Sequence, residues 1–177
     1  KAGGSGGTAA LSRDHSIHID RNGLLTIAGG KWTTCRKMAE DCVDQAALLA
    51  GLQERVCVTR TLHIHGFHLN AKQFGHLGVY GSDAMRIQDI VRQRPELGTA
   101  MDEELPFTGA EVVFAARFEM AQTLADILSR RVRALPLNAK AALRMAPEAA
   151  GLLAAELDRS QDWADGQVAE FEMRREP

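Results

Sequence analysis

Two glycines and a lysine, Gly29, Gly30 and Lys31, separate an apolar run from a helical pattern in the stretch "AGGKWTTCRKMAED". Glycine lets a backbone approach a ligand closely, and a helix start offers free N–H groups and about half a positive charge. That order of residues suits the gripping of an anion or an electron-rich ring. The same dipole disfavours a lysine, so clustering Lys31, Arg36 and Lys37 there is costly unless an anion sits in front of them. Spacing alone leaves equally open that these side chains point into water. A nucleotide phosphate loop is excluded: Leu25 stands where that loop needs its first glycine, and Trp32 where it needs serine or threonine. The dinucleotide fingerprint GxGxxG is missing too, since "GGSGG" at 3–7 follows no strand and opens no helix.

The elements that would position this loop can be read from period and punctuation. "HSIHID" at 15–20 alternates, "RNG" at 21–23 makes a turn, and "LLTIA" at 24–28 is a short apolar run; together they predict a β-hairpin leading into the glycines. Met38, Val43, Ala46, Ala47 and Leu49 then predict a helix from about Thr33 to Ala50, stopped by Gly51. "RVCVTRTLHIHG" at 55–66 reads as a second short strand. Beyond it the pattern is helical. Ser82 can cap a helix that closes before Pro95, and Thr108-Gly-Ala-Glu111 is a capping-box signature before one long helix, "VVFAARFEMAQTLADILSRR". Asn138 can cap "AKAALRM", Pro147 can open a separate helix, and a last helix runs from about Gln161 to Arg174, with Trp163, Val168 and Phe171 in the core. The expected fold class is therefore mainly α, a C-terminal helical bundle (53–177) preceded by a β-rich fragment of an α/β domain (1–52). The glycine-rich residues 1–10 read as a linker or a truncation edge. The first ~50 residues hold too few strands to complete a sheet, so a partner sheet is expected elsewhere in a longer chain.

The 177 residues carry 21 basic and 23 acidic side chains, net charge -2, which gives no bulk reason to expect nucleic acid. Arg130, Arg131 and Arg133 cluster locally, as a solvated helix end also would. Cys35, Cys42 and Cys57 form no CxxC pair and argue for reduced thiols, Cys35 and Cys42 being read as buried on one helix face. His63, His65 and His68 invite a metal reading, but no Asp, Glu or Cys stands close in sequence to complete a site, and no metal is expected. No apolar run approaches the ~18 residues that span a bilayer, and no signal peptide is visible.

"LSRDHSIHID" followed by "LLTIAGGKWTTCRKMAEDCVDQA" resembles the end of the flavin domain in FAD-dependent glycerol-3-phosphate dehydrogenases. That family shows Arg-Asp-His/Tyr, a strand, then Gly-Gly-Lys-x-Thr-Thr-x-Arg, and the likeness runs from Leu11 through nearly the whole chain. Cys35 departs from the family's usual tyrosine. The family's GxGxxG strand lies far upstream in a longer chain, so the resemblance implies a C-terminal portion that holds part of the active site, little of the FAD site, and a helical cap. It also implies oxidation of sn-glycerol 3-phosphate to dihydroxyacetone phosphate, hydride transfer to FAD, and electrons passed to membrane quinone. Arg13 and Lys31 match the family's substrate-binding basic residues. Gly29, Gly30, Lys31, Trp32 and Thr33 match its cofactor-binding loop, whose N–H groups would stabilise negative charge on the reduced ring. No general base is identified; His15 beside Arg13 reads more simply as structural. A cytoplasmic enzyme is expected, with peripheral attachment to the inner face of the membrane and homodimerisation both open. The alternatives are a non-catalytic helical interaction or cap domain, and an oxidase variant that passes electrons to oxygen.

Overall fold

A computed structural model describes residues 14–173. The residues read as a linker, 1–10, lie outside it, as do Arg13 and Arg174. The chain divides into two compact units at His63/Ile64.

In the first unit, β1 (His15–Ile19) pairs antiparallel with β2 (Leu25–Gly29), in a register that sets His15 opposite Gly29 and Ile17 opposite Ile27. The turn forms because Gly23 takes a positive φ of 85° and Asn22 accepts the Leu24 N–H. A 3-10 turn (Trp32–Thr34) leads into α1 (Cys35–Leu49). No residue from 14 to 63 is fully buried, and Val43, Leu48 and Leu52 on or after α1 are mostly exposed. Cys35 and Cys42, expected as buried thiols, are exposed and half-buried respectively. The strand expected over 55–66 does not form. Its alternation finds no strand to pair with, and the Thr61 and Leu62 N–H groups turn back to Val58 O instead.

The second unit contains the core. A 3-10 segment (Ala71–Asp83) precedes α2 (Ala84–Gln93), whose first turn follows Asp83 rather than the expected cap Ser82; the Ser82 N–H goes to Gly66 O. A hairpin not anticipated from the sequence follows: β3 (Ala100–Asp102) and β4 (Leu105–Thr108). α3 (Gly109–Phe118) is buried on every side over its first seven residues, Gly109 to Ala115. Ala110, Val113 and Phe114 pack with Ile87, Ile90 and Leu97, while Val112 and Ala115 join the larger cluster of Leu124, Ile127, Leu128, Met145 and Leu153. A helix stretch buried all round must be central.

The single long helix expected from 112 to 131 is interrupted. Met120 adopts a left-handed φ of 54°, the Ala121 N–H returns to Ala115 O, and a π-helical turn (Asp126–Arg131) resumes the course. Arg131 closes the break by donating from Nε and Nη2 to Glu119 O at 3.0 and 2.8 Å. After the short α4 (Ala134–Leu137), the two helices expected around Pro147 prove to be one, α5 (Ala139–Glu156), with Pro147 inside it. Asn138 Oδ1 accepts the Ala141 N–H as expected, and Met145, Ala146, Ala149 and Ala150 are fully buried on either side of the proline. Their packing offsets the lost helical bond. α6 (Gln161–Met173) buries Phe171, with Trp163 and Val168 packed against the same cluster. The chain is mainly α, as its periodicity predicts.

Two polar devices hold these layers. Glu111, 1% exposed, accepts from the Thr108 N–H at 2.9 Å and hydroxyl at 3.2 Å, and stands 3.2 Å from both Tyr80 Oη and His76 Nε2. Asp102 receives Arg144 in a fork, Nε at 2.7 Å and Nη2 at 2.9 Å, which ties the β3–β4 hairpin to α5. Replacing Glu111 by alanine strands buried donors and removes the cap; we expect a loss of about 3 kcal/mol in unfolding free energy, against about 1 kcal/mol for Thr108→Ala, read from urea midpoints. The Arg144 guanidinium holds the Asp102 carboxyl below the usual carboxylate range. A depressed folded pKa contributes stability that is complete above about pH 4 and is lost as pH falls through the folded value. The Asp102→Asn chain should therefore show a shallower fall in midpoint between pH 5 and pH 2 than the unmodified chain.

Candidate functional site

The Gly29-Gly30 turn is set by the chain's own packing. Both residues have positive φ, 87° and 71°. A Cβ on Gly30 would lie 2.3 Å from Met38 Sδ, and one on Gly29 would lie 3.1 Å from Asp14 O. The Gly30 N–H donates to Asp14 O at 3.2 Å, which carries the hairpin pairing one residue past the ladder. Lys31 is then extended (φ -140°, ψ 161°); its N–H donates to Thr34 Oγ1 at 3.0 Å and its carbonyl accepts the Thr34 hydroxyl at 2.9 Å. That leaves the N–H groups of Trp32 and Thr33 at the head of the turn, ahead of the first helical acceptor, with no acidic residue in that turn. Trp32 is 88% exposed. This arrangement fits an electron-rich ring edge or an anion: bare backbone, N–H groups that precede the first helical acceptor, and a lysine at the N-cap. The glycines themselves do not require such a ligand.

The three cations clustered around the helix start have different fates. Arg36 reaches Glu40 at 2.8 Å and Lys37 reaches Asp41 at 2.5 Å, both one turn along α1. These bonds raise the Arg36 and Lys37 pKa values and lower those of Glu40 and Asp41. Arg60 adds a second cation to Glu40 at 3.4 Å. Among the described residues the Lys31 ammonium makes no hydrogen bond or ion pair. The electrostatic cost of the cluster therefore rests on Lys31, because its neighbours carry their own counterions. Arg13 lies outside the described residues, one position before Asp14.

His15, at the first position of β1, is largely covered, and its Nε2 lies 3.0 Å from Asp41 Oδ2. A ring nitrogen held by a carboxylate in this way is oriented. Beside the pair lies an open groove of about 500 Å³ lined by His15, Ile17, Asp41, Asp44 and Gln45, which does not include the glycine turn. Asp41 was not singled out in the sequence. Its signal there is weak, a carboxylate four residues after Lys37.

Two of the histidines read for metal serve local ends. His65 Nε2 meets Asp83 Oδ2 at 2.5 Å, and His68 Nδ1 accepts the Asn70 N–H at 3.1 Å with its ring edge-on to Phe74. The strand that would have aligned His63 with His65 is absent. Burial, and then the charge of Glu111, push the Tyr80 phenol well above its usual range, so Tyr80 is a fixed donor rather than a proton carrier. Burial also raises the Glu119 carboxyl.

A family model described as the C-terminal domain of alpha-glycerophosphate oxidase matches residues 25–164. The chain is 36% identical over 171 residues to "Probable glycerol-3-phosphate dehydrogenase, mitochondrial" of Caenorhabditis elegans, covering 85% of this chain and 24% of that one. It is 34% identical over 177 residues to "Glycerol-3-phosphate dehydrogenase, mitochondrial" of Mesocricetus auratus, covering 89% of this chain and 24% of the relative. It is also 34% identical over 180 residues to a mitochondrial glycerol-3-phosphate dehydrogenase of Arabidopsis thaliana, covering 84% and 28%. The chain thus spans about a quarter of the length of these relatives. No solved structure matches it. With the match extending from β2 into α6, the chain belongs to the family of C-terminal domains of alpha-glycerophosphate oxidase.

Proposed function

We propose that this chain is the C-terminal portion of a flavoenzyme that oxidises sn-glycerol 3-phosphate at carbon 2 to dihydroxyacetone phosphate and passes the electrons to membrane quinone. The observation that carries the reading is the Gly-Gly-Lys turn: a lysine whose ammonium has no counterion among the described residues caps the first turn after two glycines, in a chain whose relatives are named as glycerol-3-phosphate dehydrogenases. Bound FAD would supply the hydride acceptor. Lys31 and Arg13 are the groups assigned to the substrate's phosphate dianion, where fixed cations set orientation as well as charge. Gly29 and Gly30 leave the backbone bare, and the N–H groups of Trp32 and Thr33 are suited to the pyrimidine end of the ring, where they would stabilise negative charge. No general base is assigned.

The oxidase alternative is favoured by one observation, the wording of the family description. It keeps the same substrate site and changes only the acceptor. The contact proposed with a quinone-bearing membrane is peripheral; among the described residues no helix is long and apolar enough to cross a membrane.

In the full-length, flavin-loaded enzyme, Lys31→Ala and Arg13→Ala should each lower kcat/KM for glycerol 3-phosphate about 10- to 100-fold, mainly through KM, with flavin content unchanged. Failure of glycerol 3-phosphate to bleach the flavin of the unmodified enzyme would overturn the reading. Stoichiometric peroxide in air, without quinone reduction, would transfer it to the oxidase.

A further inference from the structure

One face at the start of α1 carries Thr34, Met38 and Asp41, spaced four and then three apart, and each meets the segment that holds the glycine turn. The Thr34 hydroxyl bonds the Lys31 carbonyl, Asp41 meets His15, and Met38 lies against Gly30. The Gly30 contact is made by packing alone. The place where a Gly30 Cβ would stand is taken by the Met38 thioether, whose Cε lies 2.9 Å and whose Cγ lies 3.3 Å from that point, with Sδ closer still. The two residues are complementary in size: the side chain that one lacks is replaced by the end of the other. An unbranched, flexible thioether suits an irregular gap of this kind. Met38 is half-buried in a unit where no residue from 14 to 63 is fully buried, so its contact serves the turn rather than a filled core.

We infer that Met38 is a positioning residue for the Gly-Gly-Lys turn: its thioether stands in the space Gly30 leaves open and sets how closely the turn approaches α1, and with it the place of Lys31. The inference deepens the reading of Lys31 as a cation for the substrate's phosphate and rests on it. The hydrogen bonds at the turn do not set this spacing. The Gly30 N–H goes to Asp14 O, back into the hairpin, and the Lys31–Thr34 bonds close a turn between residues 31 and 34 without reaching further into the helix. The Asp41 contact holds β1, the other strand of the ladder. Met38, one helical turn beyond Thr34, is the side chain that meets the turn itself. Emptying its space lets the turn settle toward the helix, and a displacement of about 1 Å at a binding group is enough to lower a rate up to 100-fold.

The test uses the full-length, flavin-loaded enzyme, with glycerol 3-phosphate as substrate and inorganic phosphate as a competitive inhibitor. Met38→Ala should raise KM for glycerol 3-phosphate and the inhibition constant for phosphate together, each about tenfold, with kcat and flavin content little changed. Met38→Leu, which refills most of the space, should bring both constants to within about twofold of the unmodified enzyme. In a Gly30→Ala background a methyl already stands in the thioether's place, so Met38→Ala should cost nothing further; the strain of the positive φ is common to both members of that pair and cancels. In a Lys31→Ala background Met38→Ala should likewise add little, because the cation it places is gone. Unchanged constants in Met38→Ala, a full tenfold loss on top of Gly30→Ala, or a fall in kcat or flavin content with phosphate inhibition unmoved would each overturn the inference and leave the substrate site standing. An unchanged KM in Lys31→Ala would instead remove the substrate reading, and the inference with it.

Discussion

A single buried carboxylate organises the second unit. Glu111 sits on the first turn of a helix whose first seven residues are all buried, where an unpaired charge would be intolerable. Its bonds to Thr108, Tyr80 and His76 satisfy that charge, and each partner comes from a segment that must then lie against α3. Tyr80 brings the 3-10 segment into contact, and its ring meets Phe114 edge-on at 5.6 Å. Thr108 fixes where β4 ends and the helix begins. Both apolar clusters share α3, so a constraint on its N-terminus is a constraint on the whole unit.

The first unit is held by a different balance. It has no filled interior, and its order comes from a ladder, a glycine turn and ion pairs along α1. Charged pairs exposed to water contribute little each, but they have direction. Arg36 and Lys37 turn away from the loop toward Glu40 and Asp41, which leaves Lys31 as the cation the turn presents. The loop is thereby built so that one positive charge faces outward.

Local chemistry was legible in the sequence where one short signal decided the outcome. The hairpin at 15–28, the start of α1 after the glycines, the Thr108–Glu111 cap and the Asn138 cap all follow from adjacent residues. Outcomes decided by packing were not. Pro147 ordinarily opens a helix, yet here flanking buried alanines carry the helix through it. The run 112–131 has unbroken helical period, yet Met120 turns left-handed and Arg131 folds back to cap the break. The pair β3–β4 is too short to show alternation; what makes it is the Arg144 fork, a partner 42 residues away. In the candidate site the glycines and Lys31 stand out by type, while Asp41 becomes visible only when His15 is folded against it.

The absence of a fully buried residue between 14 and 63 also sets a time scale. Amide protons in that hairpin and helix lie one small opening away from solvent, so their exchange follows local fluctuation. Those of the first seven residues of α3, enclosed on all sides, wait for the whole second unit to open. One chain therefore holds two clocks, and its glycine turn belongs to the faster of them.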